Sequence, residues 1–496
     1  MRESGILLPI SSLPSPYGIG CFSKEAYEFV DQLALANQKY WQILPLGPTS
    51  YGDSPYQSFS TYAGNPYFID LNTLIEEGVL TKKECDLADF GSDSRFIDYG
   101  KLYKARYKLL RKAYERSNIS KNPEFQTFQE ENAWWLDDYA LFMAVKGFFQ
   151  DECWDKWPED IKKRYGYALD YYREQLYFEI EFQKYMQFEF SIQWKKLKAY
   201  ANENGIRIIG DIPIYVAYDS ADTWAHPELF QLDEENVPLA VAGCPPDGFA
   251  ADGQLWGNPL YRWDYHRQTG YAWWMQRLSY AFYLYDVVRI DHFRGFDEYF
   301  SIPYGDTTAR NGHWEKGPGI ELFRRMKEVL GERDVIAEDL GYVTDSVRQM
   351  VFESGFPGMK VFEFAFDSRD TGCAGDYLPH NYPVNSVVYT GTHDNATLIG
   401  WYQDIPKEGR EMLRDYIHDY ITSDRSLHWS VICRVMGSPA RICMIPMQDY
   451  LGLDNTYRIN TPSTLGTNWK WRLLDGEFTS DLQNKIKKLV RIYQRN

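Results

Sequence analysis

Eight short runs rich in apolar and β-branched residues recur along the 496-residue chain, and most are separated by amphipathic stretches of helical period. The runs are Gly5 to Ile10, Tyr40 to Leu46, Ile206 to Val216, Val287 to Asp291, Val335 to Glu338, Lys360 to Phe366, Ser386 to Thr390 and Arg441 to Pro446. Each is too apolar for a solvent loop and too short for a typical helix, which predicts buried strands. The stretches Ser23 to Ala36 and Tyr271 to Tyr285 read as two of the intervening helices. Alternating strands and helices predict a parallel sheet of the α/β class, and eight such units predict a closed (β/α)8 TIM barrel. Length alone suggests about two to four domains, yet no low-complexity linker or internal repeat divides the chain. One domain over residues 1–496 is therefore expected. Two insertions are expected in it: a helical one over about 75–200, between the second and third strands, and another over about 217–275 that carries a Gly-rich lid loop.

Three carboxylates stand where one of these runs meets a loop: Asp291 in VVRIDHFRGF, Glu338 in DVIAEDLGY and Asp394 in VVYTGTHDN. A single Asp there is well explained as a helix cap. Three in succession, at the strand ends where a barrel assembles its active site, suggest glycosidic-bond chemistry. An acetal resists water because its leaving oxygen and its oxocarbenium-like carbon both need help at once; one carboxyl donates a proton while a second carboxylate faces the anomeric carbon. Arg289 precedes Asp291 by two residues and in a strand points to the same face, so its guanidinium favours the ionised Asp and suits it to be the nucleophile. Glu338 has no cation in its own segment. Repulsion from the two aspartates is expected to raise its pKa and fit it for general acid work. Asp394 is left to bind sugar hydroxyls and stabilise the transition state.

The charge balance, 53 basic against 70 acidic residues for a net −17, argues against nucleic acid or an anionic membrane as the main partner. Aromatics make up 17% of the chain, with 39 Tyr and 16 Trp; most belong to a core, but such rings also stack on sugars. The seven cysteines are scattered, with no Cys-x-x-Cys pair, which predicts neither a disulfide framework nor a zinc site. The opening MRESGILLPISSLPSP lacks a signal-peptide core, and no segment approaches the ~18 apolar residues of a membrane span. A cytoplasmic protein, monomeric or weakly homo-oligomeric, needing no cofactor and no obligatory metal, is expected.

Further candidates lie in loops that the topology places at the barrel mouth. In GDIPIYVAYDSADTW, Asp211 either binds sugar or serves structure, whereas Asp219 and Asp222 read as structural. GCPPDGFAADGQLWGNPLYRW lacks helical or strand periodicity; Asp247 and Trp256 are its substrate contacts if it is a lid, and Trp256 is core if it is not. TSYGDSPYQSFSTYAGNPYF offers Tyr51, Ser54 and Tyr56 as a second wall, and RINTPSTLGTNWKWR offers Asn460 and Asn468 with two tryptophans.

Taken together, PLGPTSYGDSPYQSFSTYAGNPY, GDIPIYV, PPDGFAADGQLWGNPLY, VRIDHFRGF, AEDLG and TGTHDN resemble, in order and spacing, the amylomaltase or disproportionating-enzyme family of 4-α-glucanotransferases, glycoside hydrolase family 77. The resemblance covers nearly the whole chain. It implies Asp291 as nucleophile, Glu338 as acid/base and Asp394 as transition-state stabiliser, with Arg289 and His393 around the reacting sugar. It also implies Asp211 near the donor, Asp247 and Trp256 on a mobile loop, Ser54 and Tyr56 near the acceptor, and Tyr51 at a secondary glucan site. The chain departs from the family pattern at Gly248, Ala250 and Ser463. The expected function is retaining transfer of α-1,4-glucan segments between donor and acceptor chains such as maltooligosaccharides, amylose or glycogen-derived chains. Two rivals stand beside it: an α-amylase-like hydrolase, and a glucan-binding protein without catalysis.

Overall fold

The computed structural model describes residues 2–50, 52–246, 251–341, 343–366 and 374–496. Eight parallel strands close into a barrel: β1 (Glu3–Leu7), β2 (Tyr40–Gln42), β3 (Arg207–Ile212), β6 (Val287–Ile290), β9 (Val335–Ala337), β10 (Gly358–Val361), β11 (Ser386–Tyr389) and β12 (Ile442–Pro446). Around the barrel they stand in the order β1, β12, β11, β10, β9, β6, β3, β2. Their side chains are buried almost without exception, as a sheet enclosed by helices demands. Each expected run overlaps one strand, but the strands are shorter, and β1 and β10 begin two residues before their runs. The first starts at Glu3 and stops before Pro9, and the third stops before Pro213, because proline has no N–H to give the ladder. The run expected as a strand over Lys360 to Phe366 is extended only to Val361 and then tightens into a 3-10 turn over Phe362–Ala365.

Helices Lys24–Leu35 and Ala272–Leu284 follow the expected stretches, with Ser23 and Ala36, then Tyr271 and Tyr285, as the flanking caps. Between β2 and β3 runs a series of helices that includes Tyr99–Ser117, Pro123–Phe148 and Tyr177–Glu203. Local signals set their ends: Asp98 accepts from Lys101 N at 3.1 Å, and Asn122 caps a helix whose first residue is Pro123, accepting from Glu124 N at 2.8 Å. Part of this region packs a core of its own, in which Trp135, Phe142, Trp154 and Trp157 meet Trp224 from the segment after β3, separate from the barrel's core. Glycine at 210 lets β3 approach its covering helix, because a Cβ there would lie 2.0 Å from the Tyr285 ring.

A second sheet was not expected. Four antiparallel strands, β4 (Ala240–Cys244), β5 (Gln254–Pro259), β7 (Glu298–Pro303) and β8 (His313–Lys316), pair in the order β5, β4, β7, β8. The segment read as an aperiodic loop over 243–263 thus contains the end of one strand and the whole of another, and Trp256 lies on β5 rather than on a Gly-rich loop. The alternation that marks a half-buried strand is hidden by Gly243, Gly257 and Pro259 and by a bulge between Val241 and Gly243. Among the described residues no helix is long and apolar enough to cross a membrane.

Candidate active site

Asp211 and Arg289 are register partners on the adjacent strands β3 and β6, and their side chains meet inside the barrel mouth. Arg289 Nη1 stands 2.6 Å from Asp211 Oδ2, and its Nη2 donates to Asp291 Oδ1 at 3.0 Å. The i, i+2 spacing does put Arg289 and Asp291 on one face. Tyr56 donates its hydroxyl to the same Asp211 oxygen at 2.7 Å and stacks on the His393 ring, centroids 5.2 Å apart at 12°. His393 and Asp394 follow β11. His393 Nε2 is 3.2 Å from Asp394 Oδ2, and Asn460 Nδ2 donates to Asp394 Oδ1 at 2.6 Å. Glu338 follows β9 and, among the described residues, its side chain is held by backbone donors alone, accepting from His292 N at 2.7 Å and Leu340 N at 3.0 Å. Strand ends thus bring Asp211, Arg289, Asp291, Glu338, His393 and Asp394 together, with Tyr56 and Asn460 reaching in from loops.

The electrostatics of the three strand-end acids differ. Burial raises Asp291 to about 6 although Arg289 pulls the other way. Burial again, and then the Asp291 charge, raise Glu338 to about 7 against the pull of Arg289 and the two backbone amides. The direction for Glu338 is the one expected, but burial leads and repulsion is second. Burial also works against ionised Asp394, yet the His393 charge and the hydrogen bonds from His393 and Asn460 outweigh it and hold this carboxyl below the usual range. The same pairing holds His393 above the ordinary imidazole value despite burial.

Trp256 forms another wall. Its ring meets the His292 ring edge-on at 4.8 Å, and its Nε1 donates to Gln254 Oε1 at 3.0 Å. His292 directly follows Asp291 in the chain. It adopts the left-handed region (φ 52°), and through its backbone N–H and its ring it touches both Glu338 and Trp256. Gln57 joins two walls by donating to Asn258 Oδ1 at 3.1 Å, and Asn258 Nδ2 in turn donates to the Val216 carbonyl at 2.8 Å. Neither residue type at those spacings carries a signal that single-sequence reasoning could read. Ser54 stays in its own turn, where its hydroxyl accepts from Tyr56 N at 3.3 Å. Asp222 accepts from Thr61 N at 2.9 Å and Asp219 pairs with Lys146 at 2.5 Å, both structural roles. Asn468 closes its own loop through Thr461 and Thr464. Tyr51 and Asp247, with Gly248 and Ala250, lie outside the described residues. Among the described residues no group of three or more His, Cys, Asp or Glu is placed to hold a metal ion.

A family profile described as 4-alpha-glucanotransferase matches residues 8–477. A 4-alpha-glucanotransferase of Clostridium butyricum is 50% identical over 488 residues, 98% of this chain and 99% of its own length. The chain belongs to the 4-alpha-glucanotransferase family. A second relative of that name, from Thermus thermophilus, is 45% identical across the whole of this chain and 99% of its own. Among solved structures, the amylomaltase from Streptococcus agalactiae in complex with acarbose superposes with a TM-score of 0.96 at 40% identity, each chain covered in full. Family membership makes the chain a 4-alpha-glucanotransferase acting on α-1,4-glucans, and it does not favour the hydrolase or the non-enzymatic binder.

Proposed function

We propose that this chain transfers α-1,4-glucan segments by double displacement, with Asp291 as nucleophile, Glu338 as acid/base and Asp394 as transition-state stabiliser. The observation that carries the assignment is the unequal partnering of two neighbouring carboxyls: Asp291 has the Arg289 guanidinium at 3.0 Å, whereas among the described residues Glu338 accepts from neutral backbone donors alone. The first favours a carboxylate and the second a retained proton, the pair of states that the first step needs. Asp291 attacks the anomeric carbon as Glu338 protonates the departing glucan oxygen, so the C–O bond to the leaving chain breaks and an ester to Asp291 forms. Glu338, now a carboxylate, takes the proton from the 4-hydroxyl of an acceptor glucan. That oxygen attacks the same carbon, the ester breaks, and Asp291 is restored.

Asp394, held low by His393 and Asn460, would stay ionised through the cycle and accept sugar hydroxyls beside the oxocarbenium-like centre. Its side chain is 43% exposed, so it has an open face for that purpose. Arg289 and Asp211 fix the nucleophile's setting, and Tyr56, bonded to Asp211 and stacked on His393, is read with Ser54 as lying toward the acceptor side. Trp256 is read as an aromatic surface for the acceptor, Asp247 as a further substrate contact and Tyr51 as part of a secondary glucan site. The regions over about 75–200 and 217–275 are read as insertions into one catalytic unit, 1–496, that acts as a monomer or weak homo-oligomer.

Chromatography of products from maltotriose alone tests this reaction. Transfer yields glucose together with maltopentaose and longer chains at nearly constant reducing ends. Glucose and maltose alone, with reducing ends rising steadily, would make the reaction hydrolysis.

A further inference from the structure

Arg458 follows β12 and is half-buried beside the turn that carries His393 and Asp394. Its Nη2 donates to the Asp394 backbone carbonyl at 2.5 Å, and its Nε donates to the Asn460 carbonyl at 2.5 Å. The same stretch supplies two more bonds to the turn. Asn460 N donates to the His393 carbonyl at 3.2 Å, and Asn460 Nδ2 donates to Asp394 Oδ1 at 2.6 Å. Arg458 and Asn460 together therefore hold the backbone carbonyls on both sides of the Asp394 Cα as well as the carboxylate itself. The turn's internal bonds do a different job. Thr392 donates to Asn395 Oδ1 from its N at 2.9 Å and its Oγ1 at 2.8 Å, and Asp394 N donates to Thr392 Oγ1 at 3.3 Å. Those fix the turn's own shape, whereas the bonds from 458–460 fix where it stands relative to the loop after β12.

A guanidinium suits this place because its rigid planar fork can grip two carbonyls in set directions, which an ammonium on a flexible stem cannot. The Asp394 carboxyl carbon is two bonds from the Cα whose carbonyl Arg458 holds, so releasing that carbonyl is expected to shift the carboxylate. We propose that Arg458 is a positioning residue for the transfer reaction: by gripping the Asp394 and Asn460 carbonyls together it sets where the Asp394 carboxylate stands against the reacting sugar. The inference rests on the reading of Asp394 as transition-state stabiliser. It goes beyond that reading in placing control of Asp394 on a residue that does not touch the sugar.

The test uses the full chain as Arg458→Met and Arg458→Lys, with Asp394→Asn as reference. Each is assayed for kcat and KM on maltotriose and on α-glucosyl fluoride with a maltose acceptor, and each melting temperature is recorded. Misplacing a group by about 1 Å can cost about 100-fold in rate, so Arg458→Met is expected to lose about 10- to 100-fold in kcat with donor KM changed less than about threefold. The loss should be alike for both donors, because Asp394 acts at the reacting carbon and not on the leaving group. Arg458→Lys, which can still reach one carbonyl, should fall between Met and wild type. An unchanged kcat per folded molecule, a loss confined to KM, or a loss with maltotriose alone would overturn the proposal. If Arg458→Met does not fold, the same readings on Arg458→Lys decide. Should Asp394→Asn leave kcat intact, the reading of Asp394 fails, which is distinct from a slow Asp394→Asn beside a normal Arg458→Met.

Discussion

The carboxylate cluster and the wall that carries Trp256 are built by different means. In the cluster, groups at the ends of three barrel strands and two loop residues satisfy one another: Asp211 with Arg289 and Tyr56, Arg289 with Asp291, and Asp394 with His393 and Asn460. Their positions follow from barrel register, and buried charges are tolerated there because each has a partner. Trp256 instead stands on β5 of a small second sheet, at whose end Leu255 is 39% exposed, and it meets the cluster through the His292 ring and the Gln57 tie. Reacting atoms need fixed geometry, whereas a surface that admits many chain lengths needs only approximate fit. A residue in the cluster should therefore cost rate when changed, and one in the wall should change the fate of the intermediate.

The largest effect expected is that of Asp291→Asn. A neutral amide cannot form the ester, and transfer should fall by about 10⁴-fold or more, as for loss of a nucleophile elsewhere. Measured transfer within tenfold of wild type would remove Asp291 from the chemistry. Next comes Glu338→Gln, for which loss of acid/base help costs about 10² to 10⁴-fold on maltotriose. The first step should survive with a glycosyl fluoride, whose departure needs no proton. The wild-type pH profile sharpens the same point. Activity should rise with pH as Asp291, raised to about 6, loses its proton, and fall as Glu338, raised to about 7, loses its own. The two apparent values belong to the interacting pair. With a fluoride donor the alkaline limb of the first step should vanish, since no acid is then required, and a persistent alkaline limb would contradict the role of Glu338.

Effects in the wall should be smaller and different in kind. Water at ~55 M competes with millimolar acceptor, so selectivity comes from positioning the acceptor hydroxyl. Trp256→Ala should lower the ratio of longer-chain product to new reducing ends by about tenfold, with donor consumption reduced less. Removing one hydrogen bond is worth about 0.5–1.5 kcal/mol, or about two- to twelvefold, and because Gln57 acts on the wall only through Asn258 and the Trp256 backbone, Gln57→Ala should fall at the low end, shifting that ratio about two- to threefold in the same direction. An unchanged ratio in both variants, with the fold intact, would make the second sheet structural and place the acceptor elsewhere.

The same contrast separates what was legible in the sequence from what was not. A parallel strand enclosed by helices is apolar on both faces, so Val287–Ile290 and Ser386–Tyr389 stand out as runs, and the acids that end them stand out with them. The second sheet is antiparallel, partly exposed and interrupted by glycine and proline, so neither β5 nor the location of Trp256 on it could be read. Contacts between distant segments were hidden for a simpler reason. Tyr56 to Asp211 spans 155 positions and Asn460 to Asp394 spans 66, and nothing local in either residue announces its partner. Ser463 is an intermediate case. It departs from the family at a position where Gly is frequent, and its φ of 63° is the left-handed conformation that glycine adopts freely.

One measurement bears most directly on the claim that Asp291 carries the sugar between donor and acceptor. Glu338→Gln, given a glycosyl fluoride and no acceptor, should accumulate the intermediate because it lacks the base that opens it. Intact mass spectrometry should show one glycosyl group per chain, and peptide mapping should place it on Asp291. Adding maltose should discharge it to a longer glucan. A glycosyl group on any other residue, or a chain that turns over the fluoride with no adduct at any time, would contradict the account.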